Sequence, residues 1–194
     1  MCSAVSLIGR GVPASRGPCS GCPVDGGPEA PAGLAPKNET GNTGDPSTWP
    51  ILRDGSHLND DVSLKPNVRY QAGEFEYIYT TDEDGHILSF HADELHLTER
   101  TDRLRHDADT PGKQDGDHAG HLAGDRFGGS EKLDNIVSQL RNVNLSQYKK
   151  LENLWARSLD PYQTGGPKDV SIDVQINTDP ATGRPTSFVV RYTH

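Results

Sequence analysis

Apolar residues are scarce in this chain: only 32% of its 194 residues are hydrophobic and 6% are aromatic. No stretch approaches the ~20 consecutive apolar residues that a membrane-spanning helix needs, so no membrane segment is expected. The N-terminal run "AVSLI" is shorter than the roughly 7–15 apolar residues of a secretory leader, so there is no recognisable signal peptide. Cysteine is limited to Cys2, Cys19 and Cys22. The remaining chain therefore has no disulfide, and the redox compartment stays open. Cys19 and Cys22 have the spacing of half a zinc site, but no second pair follows, and they read as incidental thiols in a linker. Lys and Arg are also short, 19 against 28 Asp and Glu, for a net charge of −9. That balance excludes binding nucleic acid by bulk charge alone. The excess acid is central: residues 1–60 hold 4 basic and 6 acidic groups, residues 61–120 hold 6 and 14, and residues 121–194 hold 9 and 8.

Glycine (21) and proline (14) are abundant instead, and they crowd the N-terminal part. Residues 1–60 carry no apolar periodicity and read as a disordered or linker segment, with a folded domain over residues 61–194. Within that domain "FEYIYTT" and "HILSFH" flank a turn and predict one β-hairpin, with Phe75, Tyr77 and Tyr79 on one face. "VSIDVQI" and "SFVVRY" predict a second around a Pro/Gly-rich turn. Between the hairpins, Tyr148, Leu151, Leu154, Trp155 and Leu159 form the apolar stripe of an amphipathic helix. The fold class expected is α+β. Residues 131–143 fit either a helix or a strand on periodicity alone.

Residues 117–129, "DHAGHLAGDRFGG", combine two histidines and two aspartates with glycines at 120, 124, 128 and 129. Such glycines suit a backbone that turns sharply or lets another group come close. No Lys-Ser/Thr follows, which disfavours a nucleotide-cradling P-loop. His118 and His121 could ligate zinc with Asp117 or Asp125, although no His-Glu-x-x-His helix accompanies them.

Downstream stand Asn135-Ile-Val-Ser-Gln139, then Asn144 at the head of the amphipathic helix, then Glu152. With Gly120-His121, this series resembles the DNA/RNA non-specific endonucleases of the ββα-metal (His-Me finger) superfamily. Further matches run over Ala119 to Leu122, Phe127 to Gly129, Tyr148, Leu151-Glu152 and Trp155, and they resemble most the branch found as C-terminal domains of bacterial polymorphic toxins. The better-known pattern Asp-Arg-Gly-His is altered here, because His118-Ala119 stand where Asp-Arg are usual, with Asp117 one place earlier. The resemblance implies a ββα-metal core with flanking hairpins, and it favours an extended conformation for residues 135–139.

It also implies roles. His121 is the general base, and a histidine is suited to that work near neutral pH. Asn144 supplies a neutral oxygen ligand to Mg²⁺, with Mn²⁺ as the alternative ion, although Asn is equally suited to capping a helix. Glu152 accepts from a metal-bound water or else pairs with Lys149 on the helix surface. Asn135 belongs with the catalytic set, and Gln139, Arg105 and Arg141 with the substrate contacts, beside Arg100 and Arg103; Asn135 and Gln139 position either the loop or the phosphate, or else make ordinary backbone hydrogen bonds. Asp117 and His118 support the loop. The implied function is Mg²⁺-dependent hydrolysis of phosphodiesters in DNA or RNA by a toxin domain that is secreted or delivered into target cells and checked by an immunity protein. The alternatives are an inactive interaction module on the same fold and a zinc-binding protein.

Overall fold

A computed structural model describes residues 2–8, 42–102, 109–162 and 167–194. The strands are β1 (Cys2–Ile8), β2 (Ile51–Leu52), β3 (Arg69–Ala72), β4 (Tyr77–Thr81), β5 (Ile87–Ala92), β6 (Asp117–His121), β7 (Ile136–Leu140), β8 (Ser171–Thr178) and β9 (Pro185–Thr193). One helix, α1 (Lys149–Leu159), continues directly from a π-helical stretch over Val143–Tyr148. The fold is α+β and mostly strands.

Both expected hairpins form, but they do not stand apart on either side of a core. β5 pairs with β8, joining them into one seven-stranded sheet of order β1-β9-β8-β5-β4-β3-β2. Alternation gives this sheet one apolar face. Tyr70, Tyr79, Phe90, Val174 and Val190 lie directly opposite one another across successive strands, and Val5 extends the row onto β1. The first five are fully buried. Their rings stack in sequence, Tyr70 on Tyr79 at 5.4 Å and Tyr79 on Phe90 at 5.2 Å. Phe75 does not join that row. The chain turns through positive φ at Glu76, and Phe75 packs instead against the His96 ring.

The apolar stripe of the helix closes on this sheet. Tyr148 meets Phe188, and Trp155 meets Tyr192 and Phe127 edge to face. β6 and β7 form a separate antiparallel ribbon. Ribbon and helix together make the expected ββα unit. Residues 136–140 are extended, while residues 131–135 are turn rather than strand.

The ordered structure also reaches upstream of the expected boundary at residue 61. β1 pairs with β9 along its whole length, Trp49 is buried, and His57 stacks on Tyr70 at 4.3 Å while facing Asp134. Their apolar contacts were hidden by glycine- and proline-rich neighbours in the sequence. Among the described residues no helix is long and apolar enough to cross a membrane.

Candidate active site

The glycine-rich loop is tightly packed. Gly120 lies beneath the side chain of Gln139, and a Cβ there would collide with it. Gly129 presses on the carbonyl oxygen of Ala123, and Gly124 makes room for the carboxylate of Glu152. Gly128, at φ 70°, ends the short 3₁₀ turn Asp125–Phe127 in the left-handed region that glycine tolerates best.

Four tyrosine hydroxyls reach out of the core to fasten this loop. Tyr70 donates to the Asp134 carbonyl at 2.8 Å, Tyr77 to the Phe127 carbonyl at 3.0 Å, and Tyr148 to the Leu122 carbonyl at 2.7 Å. Tyr79 donates to Asn135 Oδ1 at 2.9 Å. Burial pushes the phenols of Tyr70, Tyr79 and Tyr148 well above their usual range, so they remain donors at physiological pH.

His121 ends β6, Asn144 lies in the π-helical stretch and Glu152 in α1, and all three line one cleft of about 610 Å³. A uniform α-helix would offset residues eight apart by about 80°. The π turn advances fewer degrees per residue, bringing Asn144 more nearly into line with Glu152. It also places Asn144 inside the helical run, so it is not the helix cap, and its side chain has no hydrogen-bond partner among the described residues. Burial pushes Glu152 up to about 7 despite the attraction of Arg126 and Lys149. His118 lines the same cleft.

Other expected site residues fall elsewhere. Asn135 is fully buried: its Oδ1 accepts from the Ala123 amide as well as from Tyr79, and its Nδ2 donates to the carbonyls of Ala123 and Ser130. It ties the loop shut and cannot meet a substrate. Gln139 is equally buried, so it reaches no phosphate. Asp117 takes both forks of Arg184 at 2.7 Å and lies outside the cleft lining, so it does not stand in for the missing loop aspartate. Arg141 is exposed and also outside the lining. Arg100 pairs with Asp125 at 3.2 Å. Arg103 and Arg105 lie outside the described residues.

The cations that do line the cleft are Lys113, Arg126 and Lys149. They come from three separate segments, and no sequence spacing links them. For the zinc reading, Asp117 is held by Arg184 away from the cleft, while Asp125 lines the cleft with one oxygen paired to Arg100. Among the described residues no group of three or more His, Cys, Asp or Glu is placed to hold a metal.

Residues 66–194 match a family model described as DNA/RNA non-specific endonuclease. The chain belongs to this family. This endonuclease is also 33% identical over 137 residues to the type VII secretion system protein EssD of Staphylococcus aureus, strains USA300 and NCTC 8325 / PS 47. The match takes in 66% of the chain but 21% of the relative, so the chain spans about a fifth of the length of these curated proteins. Membership makes it a nuclease acting on nucleic acid, an enzyme class that uses a divalent metal. The donor set suits a hard cation, because the cleft offers an unpaired amide oxygen on Asn144 and a carboxylate on Glu152 with no thiolate beside them.

Proposed function

We propose that the chain is a Mg²⁺-dependent endonuclease domain that hydrolyses phosphodiester bonds in DNA and RNA, with Mn²⁺ able to replace Mg²⁺. The observation that supports this most is the meeting of His121, Asn144 and Glu152, from three different elements, in one cleft. The Asn144 amide oxygen would hold the ion, with the Glu152 carboxyl as the acceptor beside it. A bound divalent ion supplies charge to stabilise the phosphoryl oxygens and an acidic water for the leaving group. The neutral His121 imidazole takes the proton of the attacking water. Lys113, Arg126 and Lys149 hold the flanking phosphates. His118, in the place usually occupied by Asp, adds a second imidazole at the cleft wall.

The likeness to a type VII secretion system protein supports a role as the toxic part of a delivered effector, with a protein inhibitor protecting the producing cell. Plasmid DNA and total RNA incubated with the protein test the chemistry. Cleavage is expected with Mg²⁺, is lost in EDTA, and falls about 10²–10⁴-fold in His121→Ala. Undiminished cleavage by His121→Ala overturns the assignment of the base.

A further inference from the structure

The two cleft histidines stand on a ribbon that makes no strand pairing with the large sheet among the described residues. Its orientation therefore depends on ties outside strand pairing. At the loop end these are Asn135, the tyrosine hydroxyls and two backbone hydrogen bonds, from the Glu74 amide to the Gly128 carbonyl at 2.7 Å and from the Thr98 amide to the Arg126 carbonyl at 3.0 Å. At the open end, Asp117, the first residue of β6, accepts from Arg184 Nε and Nη2 at 2.7 Å each, and its Oδ2 also takes the Gln114 amide at 3.1 Å. The Asp117 side chain is wholly shielded from solvent and that of Arg184 is 16% exposed.

Arg184 projects from a rigid platform, because the Asp179 amide donates to its carbonyl at 2.8 Å across the β8–β9 turn. Residues 110–116 are wedged between. Ser138 Oγ donates to the Pro111 carbonyl at 2.8 Å, and a Cβ on Gly112 would come within 2.7 Å of the Arg184 amide. A shielded ion pair seldom adds net stability over apolar packing, since desolvation offsets the attraction. A bidentate arginine does fix distance and angle together.

We propose that Asp117 and Arg184 form a positioning clamp that sets the β6–β7 ribbon, and with it His118 and His121, against the helix that carries Asn144 and Glu152. The proposal rests on the nuclease reading for its catalytic consequence, though not for its geometry. Neither residue touches substrate.

The test uses the full chain and three variants: Arg184→Met, Arg184→Lys and the double variant Asp117→Asn/Arg184→Met. Cleavage is measured well below each melting temperature. Arg184→Met leaves a shielded carboxylate unpaired, so Tm falls, and kcat falls roughly tenfold to a hundredfold with KM little changed. Arg184→Lys keeps the charge without the fork and recovers kcat in part. The double variant removes the unpaired charge, so Tm returns toward the wild type while kcat stays low. A purely stabilising role would restore kcat along with Tm, and that result overturns the clamp. NMR of the histidine rings provides a readout free of activity. The signals of His118 and His121 shift in Arg184→Met and remain shifted in the double variant, while that of His91 on the opposite sheet face does not move; unshifted signals overturn the clamp. If the wild type cleaves nothing with any metal, the nuclease reading fails, and the ring signals still decide the geometry.

Discussion

Glu152 holds a proton to near neutrality because its surroundings solvate the carboxylate poorly, and this has a thermodynamic consequence. Its folded value of about 7 lies above the 4.5 of the free side chain. Between those values the folded state takes up a proton that the unfolded chain has released, so stability is lost as pH rises from about 4.5 to about 7 and then levels off. In metal-free protein, Glu152→Gln should raise stability at pH 8 by on the order of 3 kcal/mol, at about 1.36 kcal/mol per pH unit between the two values, and change it little at pH 4. Thermal melts in EDTA at the two pH values check this. The cleft cations make a second expectation. Arg126→Ala should leave kcat nearly intact and flatten the slope of log KM against log salt by about 0.7–0.9, which salt titration of initial rates measures. That His121, Asn144 and Glu152 would share a site was legible in the sequence only through the resemblance of their spacing to the endonuclease family, and the three do line one cleft. Asn135 and Gln139 have equally distinctive spacing, yet they are buried supports, since a motif records that a side chain is needed without saying which way it faces.

In the loop element, glycine substitutions separate packing from chemistry. Gly129→Ala places a methyl against the Ala123 backbone oxygen, and backbone cannot swing aside. Gly124→Ala meets instead the end of the Glu152 side chain, which can rotate away. The first should cost several kcal/mol in urea denaturation, in the range of severe overpacking; the second should cost roughly 1 kcal/mol while cutting cleavage disproportionately. The amphipathic stripe and both hairpins could be read from periodicity. The π-helical stretch, which buries Val143 and Tyr148, could not, because one extra residue per turn leaves no pattern in a window that short.

At the scale of the molecule, alternation within each hairpin predicts two apolar faces but not that they are one. The β5–β8 pairing joins residues far apart in sequence, and only the aligned row from Tyr70 to Val190 reveals it. β1 completes the sheet from a part of the chain whose composition suggested no structure. The sheet, with its long ladders and buried row, forms the most cooperative unit, and the ribbon is appended to it by side chains and a few loop hydrogen bonds rather than by strand pairing. Amide protons of β6 and β7 should therefore exchange with deuterium through partial openings well below the global unfolding free energy, while those of β5, β8 and β9 await complete unfolding. A heated sample should accordingly stop cutting nucleic acid several degrees before its circular dichroism changes: the working edge of this enzyme loosens while the frame behind it is still whole.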